Sequence, residues 1–499
     1  MRNQVQLITY ANRLGSTLEE THDLLKGPLA GLFGGVHLLP FFDPVDGTDA
    51  GFDPEDHTRV DERLGNWDDI ASIAADLDVM ADLIVNHISS RSPQFQDFCM
   101  HGSASRFDGM FLTFDSVFPR GATETDLAAI YRPRPALPFT PITLDDGSRR
   151  ILWTTFTSAQ IDIDVFHPRG AEYLDRILRI FADNGISIVR LDAIGYAIKQ
   201  AGSACFMIPE TFVFIRDLSD RARRLGLEVL VEIHSDYKRQ IEIARQVDWV
   251  YDFALPPLVL HALFNGTAQP LKRWIAIRPK NAVTVLDTHD GIGVIDVGAD
   301  TDDRGANPGL ITDDEMQALV DRIHANSNRE SLRATGSAAA NLDLYQVNCS
   351  FYDALGRDDL SYLLCRAIQF FLPGVPQVYY VGLLAGSNDM ELLARTNVGR
   401  DINRHYYSRA EIDQALARPV VARLLDLIRL RNSHGAFDGR FELAPSPDHV
   451  LDLRWQNGEK FAQLYVDVAS CEHRLEYSSG GRVELLPLVD SPAAARDAY

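Results

Sequence analysis

The segment ISIVRLDAIGY, residues 186–196, is a short apolar, β-branched run that closes on an Arg and an Asp and then enters a turn. A run of this length, apolar throughout and bounded by turn residues, reads as a strand buried on both faces of a parallel sheet. Seven others share the pattern: QVQLITY (4–10), GVHLLP (35–40), VMADLIVN (79–86), LEVLVEI (227–233), DWVYDFA (248–254), AVTVLDT (282–288) and PQVYYV (376–381). Helical periodicity lies between them at 16–25, where Ser16 and Glu19 have capping-box spacing, and at 67–77, 169–183, 209–225, 236–247, 358–371 and 415–432. Eight strands alternating with helices predict an α/β fold, a closed (β/α)8 TIM barrel whose active groups stand at the carboxyl ends of its strands.

The alternation lapses twice, over 87–166 after the third strand and over 291–356 after the seventh. Ordinary βα loops have about 2–6 residues, so these stretches read as insertions at the catalytic face, where they build a pocket. Beyond the last helix, FELAPS, VLDLRWQ and FAQLYVDV alternate apolar and polar residues as half-buried antiparallel strands do. The predicted organisation is a barrel from 1–86, 167–290 and 357–436, an inserted domain at 87–166, an inserted subdomain at 291–356, and a C-terminal antiparallel β domain at 437–499.

The chain has 499 residues, with 48 Lys and Arg against 70 Asp and Glu, a formal net charge of −22. That surplus disfavours nucleic acid and anionic membranes as partners, and it opposes any anionic substrate at long range. Five scattered cysteines form no CxxC pair and fit reduced thiols. The opening MRNQVQLITYANRLG runs straight into a strand with no signal-peptide pattern, and no stretch reads as a transmembrane helix, so a cytoplasmic protein is expected.

Chemistry is carried by acids at strand ends. Arg190 and Asp192 are two apart and share a strand face, and a fixed cation beside that carboxylate is expected to keep it ionised, as a nucleophile requires. Glu232 ends an apolar strand, where desolvation is expected to raise its pKa and suit it to proton donation. Asp290 follows His289 at the mouth of the seventh strand. Two carboxyls flanking a glycosidic bond are the working parts of a glycosidase. Read singly, a strand-end acid is more often a cap or a salt-bridge partner; three at one barrel mouth are a constellation.

DLIVNH (82–87), RLDAIGY (190–196), EIH (232–234) and DTHD (287–290) resemble the four short motifs of the α-amylase superfamily of retaining α-glucoside enzymes. Within it, DGTDAGFDPEDHTRVDERLGNWDD (46–69), IYRPRPALPFT (130–140), DFALPPLVLHAL (252–263), DTHDGIGVIDVG (287–298), NLDLYQVN (341–348), FFLPGVPQVYYVG (370–382) and NVGRDINRHYY (397–407) are similar to the sucrose phosphorylase family. The resemblance implies reversible glucosyl transfer from sucrose to inorganic phosphate with retention, giving α-D-glucose 1-phosphate and fructose. It implies Asp192 as nucleophile, Glu232 as general acid/base and Asp290 as transition-state stabiliser. Asp49, Phe52, His87, Phe156, Gln160, Arg190, His289 and Arg400 fall at glucosyl-ring positions, and Tyr196, His234 and Gln346 on the fructose side. Arg134, Leu342, Asp343 and Tyr345 fall in two loops that exchange fructose-binding for phosphate-binding arrangements. A homodimer is likewise implied.

Without that context, Phe156 and Tyr196 read as packing residues, His87 as a hydrogen-bonded histidine and Arg134 as a solvated charge. The aspartate-rich DAGFDPEDH and TDDRGANPG lack calcium-loop spacing, so no metal is expected, and DGIGVIDVG is not a GxGxxG turn, so neither is a dinucleotide or other cofactor. The alternatives are a phosphorylase of sucrose 6'-phosphate, glucosylglycerol or glucosylglycerate, a sucrose hydrolase or transglucosidase, and a catalytically inactive barrel serving as a binding subunit.

Overall fold

The computed structural model describes residues 1–47, 49–134, 136–299, 308–335 and 346–489. Eight parallel strands close into a barrel: β1 (Gln6–Thr9), β2 (Gly35–Leu38), β3 (Asp78–Ile84), β4 (Ile188–Asp192), β5 (Glu228–Val231), β6 (Trp249–Asp252), β7 (Ala282–Thr284) and β8 (Val375–Tyr379). Each pairs with its neighbours in sequence, and β8 returns to pair with β1. All eight lie on runs expected to be strands.

Period-two alternation along these strands sorts their side chains into two sets. Met80, Ile188, Leu230, Tyr251 and Val283 belong to one small apolar cluster that is separate from the large core under the helices. Two residues further along three of these strands, on the same face, stand Asp82, Arg190 and Glu232. The barrel interior therefore changes from apolar to charged toward the carboxyl ends of its strands, which fixes where chemistry occurs. Register does the rest: Arg190 is paired with Asp82 on β3 and Leu230 on β5, and Asp192 with Ile84.

The outer helices are α1 (Leu18–Lys26), α2 (Trp67–Ala74), α3 (Pro168–Asp183), α4 (Pro209–Arg224), α5 (Tyr237–Ala244), α6 (Leu255–Asn265), α7 (Asp359–Phe371) and α8 (Pro419–Ser433). Two differ from the sequence reading. The cap of α1 is Thr17, whose hydroxyl accepts from Glu20 N at 3.2 Å, while Glu20 reaches back to Ser16 N at 2.8 Å; the Ser16 and Glu19 register is off by one. Helix α6 has no periodic signal, because every residue from Leu255 to Ala262 is buried. A helix apolar on all sides has no polar stripe to reveal it.

Between β3 and α3 lie the antiparallel pairs His87–Ser89 with Gln160–Asp162 and Phe139–Thr143 with Arg149–Trp153. Between β7 and α7 the pair Ile292–Gly293 with Gln346–Val347 brings Gln346 back to the barrel mouth. Five antiparallel strands, β9 (Arg440–Leu443), β10 (Val450–Asn457), β11 (Lys460–Asp467), β12 (His473–Ser479) and β13 (Arg482–Leu485), form the C-terminal sheet. Trp455 on β10 donates to the carbonyl of Phe371 at 2.7 Å, tying this sheet to the end of α7. The five cysteines are free thiols, and among the described residues no helix is long and apolar enough to cross a membrane.

Candidate active site

A cleft of about 640 Å³ opens at the carboxyl ends of the strands. Its walls bring together Asp49, Phe52, His87, Arg134, Phe156, Gln160, Asp192, Tyr196, Glu232, His234, His289, Asp290 and Arg400. Arg190 lies beneath them, and Gln346 Nε2 is 3.4 Å from His234 Nε2. Leu342, Asp343 and Tyr345 lie outside the described residues.

Leu191 of β4 pairs with Val231 of β5, so Asp192 and Glu232, one position on, are side by side. Neighbouring strands thus bring the two carboxyls to one place at the barrel mouth, as a pair in which one attacks and the other shuttles a proton requires. A single guanidinium serves both: Arg190 Nη1 is 2.8 Å from Asp192 Oδ1, and Nη2 is 3.4 Å from Glu232 Oε1. Arg190 is in turn pinned by Asp82 at 2.6 Å, whose other oxygen meets His37 Nε2 at 3.0 Å. Burial would raise Asp82, but His37 and Arg190 bring it down to about 2, so it is a fixed anion.

The expectation that Arg190 keeps Asp192 ionised is corrected here. Burial raises the Asp192 carboxyl well above its ordinary value; Arg190 opposes this, but Glu232, Asp82 and Asp290 add to it. One guanidinium, already neutralised by Asp82, cannot offset so many neighbouring carboxylates in a low-dielectric cleft. Asp192 is followed by Ala193 in the left-handed region at φ 54°, a sharp reversal that ends the strand beside the cleft.

Asp290 stands six residues beyond the end of β7, not at the strand terminus itself. Burial would raise it, yet the guanidiniums of Arg400, Arg404 and Arg190 hold it well below the carboxylate range. Arg400 Nη1 is 2.8 Å from its Oδ1. Arg404 donates to the His289 carbonyl at 2.8 Å and Asn403 to that of Thr288 at 3.1 Å, so the 400–404 segment clamps this loop from behind. Burial also keeps His289 neutral, well below its ordinary value, and its ring stacks on Phe52 at 4.9 Å.

Next to Phe52, His87 donates from Nε2–H to the Phe52 carbonyl at 3.0 Å, and the His87 ring meets Phe156 edge-on at 5.3 Å. Phe156 leads to Tyr196 (5.2 Å), Tyr196 to Phe206 (4.6 Å) and Phe206 to Tyr131 (4.4 Å), an aromatic path out of the cleft. Arg134 donates to the Phe156 carbonyl at 3.2 Å and is 4.0 Å from Asp49, which brings a planar cation to the cleft entrance. Burial would raise Asp49, but Arg400 and Arg134 lower it. Under Tyr196, the buried Lys199 ammonium binds Asp162 at 2.8 Å, Asn86 at 2.9 Å and the Tyr196 carbonyl.

Glu232, His234 and Asp290 present oxygen and nitrogen atoms all within 4.8 Å of one another. Their charge is already balanced from within the protein, because Arg190 engages Glu232 and Arg400 engages Asp290. A cation placed there would face guanidinium groups at close range, so the trio does not fit a metal site.

Several contributors were not singled out from the sequence. Asp82 and Arg404 lie within quoted motifs, but nothing in their spacing marks them as the groups behind Arg190 and Asp290. Asp296 likewise lies in a quoted motif without being marked by its spacing, and Phe206 and Lys199 carry no sequence signal, since each acts through a neighbour brought to it by the fold.

The chain matches the alpha-amylase catalytic-domain family model over residues 31–224. It is 60% identical over 467 residues to a sucrose phosphorylase of Agrobacterium vitis, covering 93% of this chain and 95% of that one. It is 56% identical over 465 residues to a sucrose phosphorylase of Bifidobacterium adolescentis, covering 93% and 92%. Among solved structures, a sucrose 6F-phosphate phosphorylase from Thermoanaerobacter thermosaccharolyticum superposes with a TM-score of 0.88 at 36% identity, covering 97% of each chain.

Proposed function

This chain belongs to the sucrose phosphorylase family, within the α-amylase superfamily, and from that premise we propose that it transfers glucosyl from sucrose to inorganic phosphate, giving α-D-glucose 1-phosphate and D-fructose. The observation that carries this reading is the side-by-side placement of Asp192 and Glu232 on one guanidinium, with the Asp290 carboxylate within 4.8 Å of that of Glu232.

In the first displacement the Asp192 carboxylate attacks the anomeric carbon as the bond to the fructosyl oxygen breaks, and Glu232 gives that oxygen its proton. In the second, a phosphate oxygen attacks the same carbon, Glu232 takes the phosphate proton, and the bond to Asp192 breaks. Two inversions give retention. Positive charge grows on the ring between these states, and the fixed Asp290 carboxylate opposes it. Burial disfavours the ionised form of Asp192 and Arg190 favours it, and attack proceeds from the ionised fraction.

Asp49, Phe52, His87, Phe156, Gln160, His289 and Arg400 are assigned to the glucosyl ring and Tyr196, His234 and Gln346 to fructose, with Arg134 receiving phosphate. The Leu342, Asp343 and Tyr345 loop completes the acceptor side in the same reading, as do the chain divisions given above, a homodimer and a cytoplasmic location. Phosphorolysis of a panel of donors decides the substrate: with phosphate present, sucrose is expected to exceed sucrose 6'-phosphate, glucosylglycerol and glucosylglycerate in kcat/KM by at least about tenfold, the effect of one well-made polar contact. A higher value for any of the other three would replace sucrose as the donor.

A further inference from the structure

His234 has a partner that the roles above leave unassigned. Its Nδ1 is 3.2 Å from Oδ2 of Asp296, a fully buried carboxyl in the short turn Ile295–Val297. Asp296 is itself held in place: Gln240 Nε2 donates to Oδ1 at 2.9 Å and Ser235 N at 3.3 Å. Phe253 stacks on the imidazole at 4.0 Å, and residue 293 is glycine where a Cβ would come within 2.6 Å of Asp296 Oδ2. These contacts leave the ring one orientation, with Nε2 turned to the cleft.

There Nε2 has two neighbours of opposite character. Gln346 Nε2 is 3.4 Å away, its amide oxygen being occupied by Gly291 N, and Glu232 Oε1 is 3.6 Å away. A neutral ring that donates from Nδ1 accepts from Gln346, whereas a protonated ring donates from both nitrogens and offers its Nε2–H to an anion. His234 lines both the catalytic cleft and an adjoining cavity of about 1190 Å³, which also carries Arg132, Asp236 and Arg239.

We propose that Asp296 is a positioning residue for the second displacement: it holds His234 as a cationic Nε2–H donor toward the space fructose leaves, and so sets how well phosphate, rather than water, captures the glucosyl enzyme. The inference rests on the phosphorylase reading. Burial alone would lower His234, but Asp296 raises it above its ordinary value, with help from Glu232 and Asp290. No carboxylate is needed there to bind a neutral sugar, whereas a phosphate dianion gains from a cation whose charge is secured from behind.

The test is Asp296→Asn, which keeps the shape and removes the charge. Glucose 1-phosphate and free glucose are measured from sucrose with phosphate varied, across the neutral pH range. In the unaltered enzyme the KM for phosphate rises as pH passes upward through the His234 value and the cation is lost. In Asp296→Asn that rise moves to lower pH, the KM for phosphate at neutral pH is about tenfold higher, the loss of roughly one charge-assisted hydrogen bond, and glucose release without phosphate persists. Gln240→Leu, which loosens Asp296 without touching the ring, shifts the same quantities in the same direction by less. An unchanged phosphate KM and pH profile in both variants, or equal loss of the phosphate and water reactions, overturns the proposal. If the unaltered enzyme forms no glucose 1-phosphate, the phosphorylase reading itself fails; if it does and the variants match it, only the role of Asp296 fails.

Discussion

Asp192 concentrates the electrostatic conflict of the site, because burial and three neighbouring carboxylates outweigh one shared guanidinium. Its folded-state value is raised, so folding takes up a proton, and stability is lost as pH rises from the ordinary carboxylate range through the raised value. Asp192→Asn is therefore expected to abolish glucosyl transfer by orders of magnitude while raising Tm slightly at neutral pH, where calorimetry on both proteins measures it. A lower Tm would show that the Arg190 contact outweighs the repulsion. The same shift places the acidic limb of the kcat/KM profile above the range of an ordinary aspartate, since the protonated carboxyl cannot attack. Glu232→Gln is expected to slow transfer from sucrose by at least about a hundredfold, yet spare an α-glucosyl fluoride donor, whose leaving group needs no proton. Equal losses with both donors would remove Glu232 from the acid role.

At the scale of elements, the strands were legible because a buried parallel strand is a short, bounded apolar run, and all eight barrel strands lie on such runs. Position within them was legible too: Ile188, Arg190 and Asp192 mark an interior that turns polar toward its mouth. Helix α6 was not, being buried on every side, and the cap of α1 was read one residue early because Ser16 and Thr17 both suit the role. Thr17→Ala is expected to cost about 1 kcal/mol in urea unfolding and Ser16→Ala a few tenths, since only Thr17 contributes a side-chain cap. Equal costs would restore the earlier register. The site's supporting groups were illegible for a different reason. Asp82, Lys199 and Asp296 are ordinary residues in sequence, and their importance comes from contacts across 108, 37 and 62 residues, with Arg190, Asp162 and His234 respectively.

For the whole molecule, a net charge of −22 and an anionic co-substrate are reconciled by geometry. The cations that matter line the cleft itself, among them Arg134, Arg400 and His234. Charges of the outer surface are screened over about 8–10 Å at ordinary ionic strength, while a partly buried pair is screened far less. An acidic protein can thus offer phosphate local cationic contacts that its net charge does not set. The wall of the cleft draws on the segment between β3 and α3, through Arg134 and Phe156, and on the segment between β7 and α7, through Gln346 beside His234. The ends of the barrel strands supply Asp192 and Glu232 and the long connections supply the surrounding wall, which in the proposed function chooses the acceptor. The most direct measurement of this account follows sucrose and inorganic phosphate with the enzyme by proton and phosphorus NMR. The predicted result is α-D-glucose 1-phosphate appearing as the first glucosyl product in step with fructose; the β anomer, or free glucose at the same rate whether or not phosphate is present, would contradict it.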